Sequence, residues 1–72
     1  MDEGKIITIL LNGEARAVPK GTGLAALIES LGLPAQGVLI EHNGTALLRD
    51  ERAGVRLADG DRLEILRVVA GG

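Results

Sequence analysis

The residues that most directly suggest chemistry are the last two, Gly71 and Gly72. They follow a strand-like run, Arg62-Leu63-Glu64-Ile65-Leu66-Arg67-Val68-Val69, and a single Ala70. Glycine is poor strand material, because it loses the most backbone entropy on ordering and has no side chain to pack. A thin, flexible tail over residues 70–72 is therefore expected, carrying the α-carboxylate at its tip. Such a tail can thread a narrow active site and offer its carboxylate as a substrate. A frayed end is the second reading, since termini tolerate glycine and 11 of the 72 residues are glycine.

The other chemically capable side chains point less far. His42 is the only histidine and there is no cysteine, so the three or four converging ligands of a metal site are lacking. A lone histidine at a strand end reads as structural. Asp59-Gly60-Asp61 reads as turn chemistry, because aspartate stabilises tight turns. Together with Asp50 and Glu51 these carboxylates could form an acid/base pair only within a pocket, and a chain this short has little room for one. No bound cofactor and no metal are expected, and the chain does not read as an enzyme.

Composition narrows the partners. The net charge is −2 and there is no Phe, Tyr or Trp, which argues against a phosphate backbone and removes the stacking platforms of single-strand binders. No apolar run approaches the roughly twenty residues of a membrane span. Met1-Asp2-Glu3-Gly4 lacks the basic-then-apolar layout of a signal peptide. Neither nucleic acid nor membrane is expected as a partner, and a cytoplasmic location is. Without cysteine there is also no disulfide and no thiol nucleophile.

The positioning elements are legible in order. Lys5 to Leu11 is rich in β-branched residues and predicts a strand. Asn12-Gly13 predicts a type I′ hairpin turn, whose two central residues need positive φ, and Glu14 to Val18 returns as a second strand. Thr22 offers an N-cap oxygen to a helix whose apolar stripe is Leu24, Leu27, Ile28 and Leu31. Gly32 and Pro34 end that helix. Val38 to His42, a second Asn-Gly turn at 43–44 and Ala46 to Leu48 predict a third and a short fourth strand. Arg49 to Ala58 is polar and irregular, anchored by Val55 and Leu57, and the last strand starts at Arg62.

One domain over residues 1–72 follows from the length. Its element order predicts an α+β fold in which a single helix covers one face of a mixed sheet. The first and last strands are expected side by side at the centre, with Ile7, Ile9, Leu63 and Ile65 in the core. Strand alternation then sends Leu10, Leu66 and Val68 to the uncovered face. There they form a candidate contact patch near the root of the tail, with Arg67 and Arg62 as steering charges.

This order, closed by Gly-Gly, resembles the ubiquitin-like β-grasp proteins, and within them the ThiS-type sulfur carriers of thiamine biosynthesis. The resemblance runs from Ile6 onward. Its carrying segments are Leu11-Asn12-Gly13, Gly21-Thr22, Ile40-Glu41-His42-Asn43-Gly44 and the stretch from Asp59-Gly60-Asp61 to Gly72. Where that family often has Pro-Arg followed shortly by Trp, this chain has Leu48-Arg49-Asp50-Glu51-Arg52, and His42 stands where an apolar residue is more usual.

The resemblance implies that the Gly72 carboxylate is adenylated by a partner enzyme of the ThiF type, which uses ATP. A thiocarboxylate would follow, supplied by a sulfur donor protein and consumed by a thiazole synthase of the ThiG type. Gly71 would give the tail its access, since no Cβ crowds the reacting carbon. Leu10, Leu66, Val68 and Arg67 would meet the partners. The small sulfur-carrier subunit of molybdopterin synthase is the close alternative, although those chains often place prolines before Gly-Gly, where this one has Val68-Val69-Ala70. A ubiquitin-like interaction module with an incidental Gly-Gly is the alternative from another class.

Overall fold

The structure, a computed structural model, describes residues 4–34 and 36–68. Five strands form one sheet: β1 (Ile6–Leu11), β2 (Glu14–Pro19), β3 (Val38–His42), β4 (Thr45–Ala46) and β5 (Arg62–Arg67). The spatial order is β2-β1-β5-β3-β4. The central pair β1–β5 is parallel, with Leu10 opposite Arg62 and Leu11 opposite Leu63, and the other pairs are antiparallel. The helix α1 (Leu24–Ser30) lies on one face. This is the expected mixed-sheet β-grasp architecture.

Alternation along the strands builds the core. Ile7 and Ile9 of β1, Val38 and Ile40 of β3, and Leu63 and Ile65 of β5 are buried against Leu24, Leu27 and Ile28 of α1, with Val18 and Leu57 closing the sides. Both Asn-Gly turns have left-handed conformations at each position, Asn12 and Gly13 at φ 50° and 84°, Asn43 and Gly44 at 52° and 85°. That geometry matches the twist of the flanking strands and pins both hairpin registers.

The helix departs from expectation at its start. Thr22 is not the cap: its hydroxyl donates to the Pro19 carbonyl at 2.6 Å, closing a turn. Gly23 occupies the N-cap position instead, and Leu24 N–H donates to the Val55 carbonyl at 2.9 Å. Leu57 N–H in turn donates to the Thr22 carbonyl, so residues 22–24 run alongside 55–57. A strand-like bridge from a distant segment thus satisfies the first helical N–H in place of a side chain.

The helix is also shorter than its apolar stripe, because Leu31 is the C-cap and only partly buried. Gly32 at φ 72° then permits a Schellman ending, with Gly32 N–H to the Glu29 carbonyl and Leu33 N–H to the Ile28 carbonyl.

Two further corrections concern the stretch after the second turn. The fourth strand is Thr45–Ala46, rather than Ala46 to Leu48, and Arg49–Gly54 is a 3-10 helix within the stretch read as irregular. Leu48 starts this helix, its N–H donating to the Glu51 carboxylate at 2.7 Å while Glu51 N–H returns to the Leu48 carbonyl. Leu57 is a core residue as expected, and Val55 packs at its margin. Among the described residues no helix is long and apolar enough to cross a membrane.

Candidate functional site

The site has two parts, the uncovered sheet face and the end of β5 that leads toward the C-terminus. Gly71 and Gly72, with the rest of the 70–72 tail, lie outside the described residues, as does Val69. The remaining candidates, Leu10, Leu66, Arg67 and Val68, are described and exposed.

On the uncovered face Leu66 is 60% exposed and Val68 52% exposed, and Leu10 is 39% exposed. The register separates them. Leu66 stands opposite Leu39 of β3, whereas Leu10 stands opposite Arg62, four residues earlier on β5. At about 3.3 Å per residue this puts Leu10 roughly 13 Å from the Leu66 level. Leu39, itself 60% exposed, is the neighbour that sequence reading missed. The signal was available, because placing Ile40 in the core sends Leu39 outward.

Leu39 and Leu66 line a shallow groove of about 280 Å³ together with Ala46, Leu47, Glu41 and Glu64. Glu41 and Glu64 are directly opposite one another across β3 and β5. Like charges so placed are mutually unfavourable in the free protein. The groove thus offers apolar contact beside a concentrated negative charge.

Two asparagines hold β5 in place. Asn12 N–H donates to the Leu63 carbonyl at 2.8 Å, and its side chain continues the ladder where β1 stops. Its Oδ1 accepts from Ile65 N–H at 2.7 Å and its Nδ2 donates to the Ile65 carbonyl at 3.1 Å. At the other end Asn43 Oδ1 accepts from Arg62 N–H at 2.8 Å. Each asparagine serves its own turn and also β5, which sequence reading had credited with the turns alone.

The second missed feature is a polar cluster around the buried Asp61 of the Asp59-Gly60-Asp61 turn. Asp61 is 9% exposed. His42 Nε2 lies 2.8 Å from one carboxylate oxygen, which also accepts from Ala58 N–H, and Asn43 Nδ2 donates to the other at 3.1 Å. Burial pushes the Asp61 carboxyl up. The hydrogen bonds from His42, Ala58 and Asn43, with the His42 charge, outweigh it and hold the group below its ordinary value. His42 and Asp61 therefore lock the second turn to the start of β5.

Comparison with known proteins bears on the family and the overall fold. Residues 9–72 match the ThiS family model. The fold superposes on the crystal structure of the thiamine biosynthesis protein ThiS from Geobacter metallireducens with a TM-score of 0.78. The two are 28% identical, covering 92% of this chain and all of that one. Over 64 residues, 89% of the chain, it is 33% identical to thiazole synthases of Paramagnetospirillum magneticum and of Magnetococcus marinus. The chain spans only 20% of the length of those two relatives. A strand order, a helix and a terminal Gly-Gly that were each readable separately thus converge on one assignment: the chain belongs to the ThiS family.

Proposed function

We propose that this protein is a sulfur carrier of thiamine biosynthesis and that the Gly72 carboxylate is its reacting group. A carboxylate oxygen attacks the α-phosphorus of ATP within a ThiF-type adenylating enzyme, and pyrophosphate leaves. Sulfur delivered at the sulfide level by a donor protein then attacks the acyl carbon, the bond to the AMP oxygen breaks, and a thiocarboxylate remains as AMP leaves. A ThiG-type thiazole synthase accepts that sulfur. The chain is the substrate in each step, and the catalytic groups belong to its partners.

The observation that carries this reading is the family match, which runs through the terminal Gly71-Gly72. The chemistry of the chain is consistent with it. There is no cysteine to act as a thiol nucleophile, and His42 is engaged with Asp61. A glycine acyl carbon carries no side chain to obstruct attack. The likeness to one fifth of each thiazole synthase supports a synthase, rather than a molybdopterin-forming enzyme, as the sulfur acceptor.

Intact-mass spectrometry after co-expression with the adenylating enzyme and the sulfur donor tests the proposal. A species in which one oxygen is replaced by sulfur is expected, about 16 Da heavier. Deleting Gly72 should abolish ATP–pyrophosphate exchange, and Gly71→Val should block it by bulk, with circular dichroism reporting that each variant is folded. A Gly72 deletion that is still adenylated and still supports thiazole formation would leave the interaction-module reading in its place.

A further inference from the structure

We propose that the edge of β5 at Arg67 is a docking strand for the adenylating enzyme, which adds an extended segment of its own along the line that β1 vacates. The inference rests on the sulfur-carrier reading for the identity of the partner. Its geometry comes from the sheet.

The parallel β1–β5 ladder stops at Leu11 opposite Leu63. The Asn12 side chain extends it by one step, to Ile65. Beyond that, among the described residues, β5 continues to Arg67 with no strand paired on this side. The alternation of the ladder fixes where the Arg67 main chain points. Val68 N–H donates to the Gly37 carbonyl and Asn43 N–H to the Arg62 carbonyl, so even-numbered residues of β5 bond toward β3. Arg67, like Leu63 and Ile65, directs its N–H and C=O the other way. Among the described residues neither group of Arg67 has a hydrogen-bonding partner.

An unpaired strand edge is a template for another strand, and main-chain bonding selects an extended occupant. The outer edge of β2 is less suited, because Glu14, Arg16 and Pro19 give it the charges and proline that blunt such edges. The Arg67 edge instead borders a groove of about 320 Å³ lined by Leu11, Asn12, Leu31, Leu33, Ile65 and Arg67. An apolar side chain of the added segment fits over Leu31 and Leu33, and a carboxylate on it would pair with the exposed Arg67 guanidinium. This edge is the last described part of β5 before the reacting terminus. The enzyme that must grip the tail is therefore the occupant that gains by pairing there.

Amide hydrogen exchange followed by NMR tests the proposal directly. In the free protein the Arg67 amide should exchange rapidly, while those of Leu66 and Val68 are protected by β3. Saturation with the adenylating enzyme should slow Arg67 exchange by about tenfold or more. A synthetic chain with an ester in place of the Arg67 amide removes this N–H without removing an internal hydrogen bond. It should bind about three- to tenfold more weakly. Leu33→Asp, checked for folding by circular dichroism, should weaken binding by at least as much, because it places a charge in the groove.

An Arg67 amide that stays fast in a saturated complex would overturn the docking strand and leave the carrier function standing. Protection of Arg67 by the thiazole synthase alone would likewise overturn it. If no complex with the adenylating enzyme forms and Gly72 is not adenylated, the carrier reading falls and this inference with it.

Discussion

Asn12 grips Ile65 through both ends of its side-chain amide, accepting from the Ile65 N–H at 2.7 Å and donating to its carbonyl at 3.1 Å. A side-chain amide carries the same donor and acceptor as a peptide group. The first residue of the hairpin turn thereby substitutes for another residue of β1 and carries the central ladder one step further along β5.

Replacing Asn12 by glycine separates the two roles. Glycine accepts the left-handed conformation that Asn12 has, so the turn survives, but Ile65 loses both partners. The expected cost is about 1–3 kcal/mol in urea-induced unfolding. A loss no greater than a few tenths, as for an ordinary turn substitution, would show that the Ile65 contacts are replaced by water without cost.

The Asp61 cluster predicts a defined acid response. The folded-state pKa of Asp61 lies below its ordinary value of 3.8, so the carboxylate stabilises the fold above that pH. This contribution is lost as pH falls through the folded-state value. Asp61→Asn should reduce stability near neutrality by about 1–3 kcal/mol and should flatten the decline below pH 3.8. Thermal melts of both proteins across the acid range measure it, and parallel declines would refute the assignment.

Leu27 reports on the helix–sheet interface. It is 3% exposed beneath the sheet, and Leu27→Ala should cost about 2–5 kcal/mol, as large-to-small changes in packed cores do. For a domain this small that is a large share of the total. A Leu27→Ala protein whose denaturation midpoint matches that of the parent would contradict the packing.

The register on the uncovered face ranks three substitutions. Leu66 and Leu39 face each other across β5 and β3, while Leu10 stands beside Arg62. Under the carrier proposal, Leu66→Asp and Leu39→Asp should each weaken binding to the adenylating enzyme by about 2 kcal/mol or more, the scale of a central contact. Leu10→Asp should cost less. Calorimetric titration with the three folded variants distinguishes this from a contact centred on Leu10, which would reverse the order.

Much of the fold was legible because it rests on local rules. Alternation in Ile7-Thr8-Ile9 and Leu63-Glu64-Ile65 determined which side chains enter the core, and two Asn-Gly pairs determined the hairpins, since few residues accept positive φ at both turn positions. Gly32 marked the helix end for the same conformational reason. Resemblance to a family suggested Gly72 as the reacting group with Gly71 as its access, and both lie outside the described residues.

Tertiary structure decided what depends on residues far apart in the chain. Thr22 yielded its capping role to Val55, thirty-three positions on, because the bridge at Gly23 supplied an acceptor that no local pattern reveals. Leu39 joined Leu66 only through the β3–β5 register, and Asp61 became a buried anchor only once His42 and Asn43 closed over it. The unpaired edge at Arg67 has the same origin. Sequence periodicity sets which way a side chain points, but where one strand outruns its neighbour depends on how the paired strands are aligned.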